Sequence, residues 1–287
     1  MSMLEAHHQV IFYPEDPAEL EKATQTRESA EHLCTLPSAL LCPHAAYDLS
    51  MEALHASFSL ASGLPCKLVV VLVPLHQEVL LCDEPAFVFS PTQEGMVVGG
   101  MHIRFATGMR MHLQTLHAPH LALQDSYFEE ESAFELTLPF IHSYLPDTPV
   151  LGLAVGSCTK EQTAKLAYLL RTITEKEPDT LFVVSSNANA LLPSDVAADH
   201  ANTLADLLRQ GSDLWEAGQH HLISCCNLPS LEAIRRQPWA IRRWQLNSWY
   251  CKGQEHPAPS VLGEGKEKDV WHLSASLGER HASETNL

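Results

Sequence analysis

The sequence lacks most of the features that assign a function outright. No apolar run approaches the roughly 20 residues that a bilayer-spanning helix needs. The opening stretch, "MSMLEAHHQVIFYPEDPAEL", has no basic segment followed by an apolar one, so no secretory signal is read and a cytoplasmic location is expected. Basic residues are scarce: 18 Lys and Arg stand against 35 Asp and Glu, for a formal net charge of −17. Such a surface repels phosphate backbones and anionic lipid, so neither nucleic acid nor membrane is expected as a partner. The densest basic stretch, "AIRRQPWAIRRW", holds two Arg pairs, too few to build a groove. No two of the eight cysteines are spaced C-x-x-C, which removes zinc ribbons and thioredoxin-type motifs. With no secretory signal, Cys34, Cys42, Cys66, Cys82, Cys158, Cys225, Cys226 and Cys251 read as free thiols, most of them small buried hydrophobes. Repeats, low-complexity blocks and Gly/Ser- or Pro-rich linkers are also missing. A single domain over residues 1–276 with a flexible C-terminal tail at 277–287 is therefore expected.

What is there is an alternation of strand-like runs with helical periodicity, the pattern of an α/β protein. Strands are expected at 38–43, at the Val-rich 67–73, at "PVLGLAVG", at "TLFVVSS", at "WQLNSWY" and at "DVWHLSAS". Runs apolar on both faces, such as 67–73, suit the interior of a parallel sheet. Residues 86–104 alternate around turns at "PTQEG" and "GG" and read as a hairpin. Leu49, Leu54, Phe58 and Ala61 recur at helical steps up to Gly63. "YFEEESAFELTLPFIHSYL" reads as a helix kinked near Pro139, and "TKEQTAKLAYLLRTITEK" as a helix capped by Thr159. Further helices are expected near 196–209, 211–218 and 229–236.

In a sheet with parallel central strands, the carboxyl ends of the strands gather at one edge, and ligands bind there. Three strand ends carry polar side chains: His44 in "PHAAY", His76 in "VPLH", and Ser185, Ser186, Asn187 and Asn189 in "SSNANA". Neutral imidazole is a common ligand for iron, zinc and copper, and a protein site for such a metal needs about three ligands. A lone histidine at a strand end is more often a hydrogen-bonded structural group; two in equivalent positions point to a shared site. Carboxylates near these ends are Asp48, Glu131 and Glu135. Asp48 either reaches the pocket or caps the following helix, Tyr47 either lines the cavity or packs beneath the turn, and Glu135 either faces a substrate or turns to backbone donors.

The order of "FYPEDPAEL", "PHAAY", "VPLH", "EEESAFELTLPF", "TPVLGLAVG", "LFVVSSNANA" and "ISCCNLPSLEAI" resembles the Memo family, whose bacterial members are called AmmeMemoRadiSam system protein B. The resemblance runs from about residue 8 to 276 and rests on the order of the motifs more than on any one of them. It implies a central mixed, largely parallel sheet flanked by helices, like the catalytic subunit of class III extradiol dioxygenases. It also implies His44, His76 and Cys225 as metal ligands; Cys225 keeps the family distance to Pro229, and a slip of one residue would substitute Cys226. Several positions depart from the family pattern: Ser132, Asn187 and Ala190 stand where it has histidine, aspartate and histidine. An Asn amide is no general base and Ala190 does no acid–base work.

These residues leave three classes of function open. One is a Memo-like protein whose pocket binds iron, copper or zinc through two imidazoles and a thiolate, without robust dioxygenase turnover, in a pathway with radical-SAM and AMMECR-type partners. The second is an active non-haem iron oxidoreductase of the extradiol type. The third is a non-enzymatic interaction module with a vestigial pocket. Under the first, Tyr47, Asp48, Ser132, Glu135, Asn187, Asn189 and Cys226 line the pocket.

Overall fold

Four apolar runs, around residues 40, 70, 152 and 183, become adjacent parallel strands, and the rest of the chain is arranged about them. The structure, a computed structural model, describes residues 2–27, 37–76, 85–240, 243–252 and 268–278. Its strands are β1 Met3–Glu5, β2 Ala39–Cys42, β3 Leu68–Pro74, β4 Val88–Ser90, β5 Gly95–Val98, β6 Met101–Arg104, β7 Leu121–Leu123, β8 Val150–Val155, β9 Thr180–Ser185, β10 Leu192–Pro193, β11 Gln245–Cys251, β12 Lys268–Asp269 and β13 Trp271–Leu277. Its helices are α1 Pro17–Thr24, α2 Tyr47–Phe58, α3 Thr107–His117, α4 Ser126–Glu130, α5 Ser132–Glu135, α6 Leu138–Tyr144, α7 Lys160–Lys176, α8 Ser194–Gln210, α9 Trp215–Gln219 and α10 Leu228–Arg235.

The main sheet has eight strands in the order β11-β13-β2-β9-β3-β8-β4-β7. The block β2-β9-β3-β8 is parallel; β4 and β13 run antiparallel to its two sides. Every residue of β3, β8 and β9 is buried, as expected of strands covered on both faces. Alternation along a strand then divides the interior in two. Val70 and Leu72 face a core completed by α7, α8 and α10, whereas Val69, Val71 and Val73 face one completed by α2, α5 and α6. On the second side the helices lie close: a Cβ on Gly152 of β8 would come within 2.7 Å of the Phe134 ring, so this position takes no side chain.

Two expectations are corrected. The stretch 127–145 is not one helix kinked at Pro139. It breaks at Glu131, whose φ of −100° and ψ of 103° leave the helical region, and Pro139 sits in the first turn of α6, where its missing N–H leaves nothing unsatisfied. The hairpin expected over 86–104 is the β5–β6 pair alone, turning at Gly99 and Gly100 with positive φ, in a small sheet with β1; β4 joins the main sheet. Thr159 caps α7 as expected, in a reciprocal capping box with Gln162. Leu277, placed in the tail, pairs with Ala39 as the last residue of β13, and residues 279–287 lie outside the described residues. Cys42, Cys66, Cys158, Cys225, Cys226 and Cys251 are free thiols; Cys34 and Cys82 lie outside the described residues. No described helix is long and apolar enough to cross a membrane.

Candidate metal centre

Because β2, β9 and β3 are parallel neighbours, the residues that follow them emerge at one edge of the sheet. His44 and His76 meet there, with ring centroids 5.1 Å apart and planes at 75°. The Cys226 sulfur joins them from the loop before α10, and one donor atom from each of the three lies within 4.8 Å of the other two.

Each imidazole is held through Nδ1. His44 Nδ1 is 3.0 Å from Ser185 Oγ at the end of β9, and the His44 backbone N–H donates to Asn187 Oδ1 at 3.2 Å. This ring is 6 % exposed, and its Nε2 is buried without a conventional hydrogen-bond partner. His76 Nδ1 is 2.9 Å from Glu131 Oε2, which also accepts the His76 backbone N–H at 3.1 Å; Glu131 Oε1 accepts from the Ala133 N–H. Holding Nδ1 fixes the orientation of each ring and leaves Nε2 for the shared space.

The electrostatics follow from these contacts. Burial on its own would raise the Cys226 thiol, but the His44 and His76 rings overcome it and bring the pKa down to about 6. Contact with Cys226, and then with Glu131, lifts the His76 imidazole to about 10. Burial also acts to raise the Glu131 carboxyl, and the His76 contacts overcome it to hold the group below the usual range. A third imidazole, His272 on β13 next to β2, is buried with Nδ1 unpartnered, and burial above all pushes it down to about 4.

The sulfur expected at the site was that of Cys225; the sulfur found there is that of Cys226. Ile223 and Cys225, two residues apart, both turn into the core, and burial pushes the Cys225 thiol up to about 12. Asn227 fixes this parity. Its side chain, 1 % exposed, donates to the Leu72 carbonyl of β3 at 3.1 Å and to the Ser185 carbonyl of β9 at 3.2 Å, and its backbone N–H donates to Ser186 Oγ. The chain is thereby pinned over the strand ends with Cys226 beside the rings. Nothing in the reading of "CCNLP" identified Asn227; an Asn directly before a helix start was the available signal, and it bonds the strands instead of capping the helix.

The other pocket residues divide. Asn187 stands at the site, occupied with the His44 backbone. Ser132 follows Glu131 as the first residue of α5. Glu135 is fully buried and away from the group: it accepts from the backbone N–H groups of His7 and His8, from the Tyr13 hydroxyl, and pairs with His8 Nδ1. Tyr47 packs under the turn with its hydroxyl on the Leu136 carbonyl. Asn189 donates to the Ala190 and Asp269 carbonyls and accepts from the Trp271 N–H, tying the loop to β12 and β13. Asp48 is exposed in the first turn of α2 without a capping hydrogen bond, so it neither caps nor reaches the imidazoles. It lines instead a separate cleft of about 1140 Å³ between the Tyr13 loop and Tyr250. A smaller cavity of about 270 Å³, walled by Leu75, Cys158, Trp215 and Pro229, has Cys226 in its lining.

A family model described as "Memo-like protein" matches residues 5–208. Among solved structures, the crystal structure of uncharacterized protein JW3007 from Escherichia coli K12 is similar, with a TM-score of 0.51 at 14 % identity, covering 84 % of this chain and 99 % of that one. At that identity the likeness is one of fold. No curated protein matches the sequence.

Proposed function

The chain belongs to the Memo-like protein family, and from that membership we propose that it is a metal-binding protein that takes iron, copper or zinc through His44, His76 and Cys226, without robust dioxygenase turnover. Its mixed α/β architecture is of the class III extradiol dioxygenase type. The observation that carries the proposal is the convergence of three donors from three distant segments, one of them a buried imidazole nitrogen without a conventional partner. An ion shared with the Cys226 sulfur would give this buried nitrogen a partner. Two imidazoles and a thiolate favour a soft or borderline transition metal over magnesium or calcium. Such an ion would supply Lewis acidity and, if iron or copper, one-electron redox chemistry.

The residues around the donors support binding more than turnover. Asn187 is engaged with the His44 backbone, Ala190 has no side chain to move a proton, and Ser132 stands where the family pattern has a histidine. The reading extends, by family association, to a shared pathway with radical-SAM and AMMECR-type proteins.

Elemental analysis of the purified full chain tests the proposal. About one equivalent of iron, copper or zinc is expected, lost in both His44→Ala and His76→Ala. No metal in the wild type, or metal retained in both variants, refutes the site. Oxygen uptake with catechols is expected to stay at the level of buffer; catechol-dependent uptake abolished by His76→Ala would show a working dioxygenase.

A further inference from the structure

His44 and His76 are not held alike. His44 is walled in by the ends of β2 and β9, whereas the His76 side chain is 48 % exposed, with the His44 ring and the Cys226 sulfur on its inner side. Glu131 adds a constraint from the other side. One oxygen, Oε2, receives both the backbone N–H and the ring Nδ1 of the same residue, at 3.1 and 2.9 Å. Closing a ring from main chain to side chain through a single acceptor fixes both χ angles of the histidine. The carboxylate is itself immobile: its side chain is 7 % exposed, and Oε1 is tied to the Ala133 N–H at 3.1 Å. Glu131 stands at the interruption between α4 and α5 and is buried there, so the break in the helix and the placement of His76 meet in one residue.

We infer that Glu131 is the positioning residue of this centre: it holds His76 with Nδ1–H bound, so that Nε2 faces Cys226 and whatever ion the three donors take. The inference rests on the metal reading above, but the placement of the ring is separable from it. A carboxylate on the far nitrogen of a ligating imidazole fixes its tautomer and raises its basicity, and loss of such a partner lowers metal affinity roughly 10–100-fold. Ser185 plays the corresponding part for His44 with a neutral hydroxyl, so the two imidazoles differ in their dependence on a buried charge.

The test uses the full chain with Co(II) and Zn(II) as probes, in wild type, Glu131→Gln and Glu131→Ala. Affinity is read by chelator competition, and ring protons by long-range ¹H–¹⁵N correlation. Glu131→Gln keeps an acceptor for both N–H groups and is expected to bind one metal roughly 10–100-fold more weakly; Glu131→Ala is expected to be weaker still. The His76 Nδ1–H proton should be downfield and protected from exchange in the wild type, shifted upfield in Glu131→Gln and lost in Glu131→Ala, with the His44 ring signals unmoved. Wild-type affinity in both variants together with an unmoved His76 proton overturns the inference. If the wild type takes up no metal while the His76 proton still depends on Glu131, the metal reading falls and the placement of the ring by Glu131 stands.

Discussion

Neighbouring cysteines with opposite surroundings make the residue scale informative. Cys226 lies between two imidazoles, and Cys225 lies in the apolar core behind it. Replacing Cys225 with serine puts a hydroxyl into that core. The expected loss is about 1–3 kcal/mol of stability, read as a shift of the urea midpoint, with metal content unchanged. Reactivity should separate the two thiols further in metal-free protein. The depressed Cys226 pKa, about 6, makes thiolate the main form above that pH and thiol the main form below it. Burial holds Cys225 and Cys158 as thiols, both pushed up to about 12. Alkylation by iodoacetamide, followed peptide by peptide between pH 5 and 8, should therefore go to Cys226 over the other two and fall by half near pH 6. Equal labelling of the three, or a Cys226 midpoint near 9, would remove the interaction with the rings. His44 and His76 were legible in the sequence because each ends a buried apolar run, and the end of such a run fixes where the next residues emerge. The choice between the cysteines was not legible: chain spacing to Pro229 favours Cys225, but the side that each thiol takes is set by tertiary bonds of Asn227. Glu135 and Asn189 read as pocket residues for a similar reason. A polar residue near a site and a polar residue pinning a loop look the same until their partners are known.

Elements carry the site through their ends, so the segments joining strand to helix matter more than the helices themselves. The strands that position His44 and His76 were legible from Val- and Leu-rich runs too apolar for any exposed face, and α7 from its caps and period. The break between α4 and α5 was not, since "YFEEESAFELTLPF" keeps a helical composition throughout and only the Glu131 contacts select the interruption. The short strands β1, β7 and β10 leave too few residues for a period to show. The loop ahead of α10 is tied to Ala190 and His200 through Ser224, and next to Cys226 to β3 and β9 through the buried Asn227 amide. Asn227→Ala would leave the Leu72 and Ser185 carbonyls without that donor, at a cost of about 1–3 kcal/mol for each group left buried and unpaired. It would also free the backbone next to Cys226. Lower stability by chemical denaturation and weaker metal binding should thus appear together in this one variant, although Asn227 offers no ligand atom to the group. Loss of stability with metal affinity intact would mean that the loop holds Cys226 by other contacts.

Taken whole, the molecule is a sheet sealed between two helical layers, with a polar cluster at one edge built from three separate segments, that of Cys226 more than a hundred residues from the other two. Such a cluster exists only in the folded chain, so an ion held there binds the native state and not the unfolded one. Binding of that kind stabilises by the logarithm of ligand excess, about 2.7 kcal/mol at a free concentration 100 times Kd. For a chain of this length each kcal/mol moves the melting temperature by roughly 2 °C, so saturation should raise it by about 5 °C. The strongly acidic surface complicates a naive test, because 35 carboxylates attract divalent ions without regard to the site. Thermal unfolding should accordingly be followed in wild type and in Cys226→Ser, each with zinc and with a chelator, at about 0.15 M salt, where exposed charges are screened beyond about 8 Å. The wild type is expected to lose about 5 °C on chelation and the variant to melt at one temperature in both conditions. A shift of equal size in both proteins would assign the effect to the surface carboxylates, and the strand-end group would then contribute nothing to holding the ion.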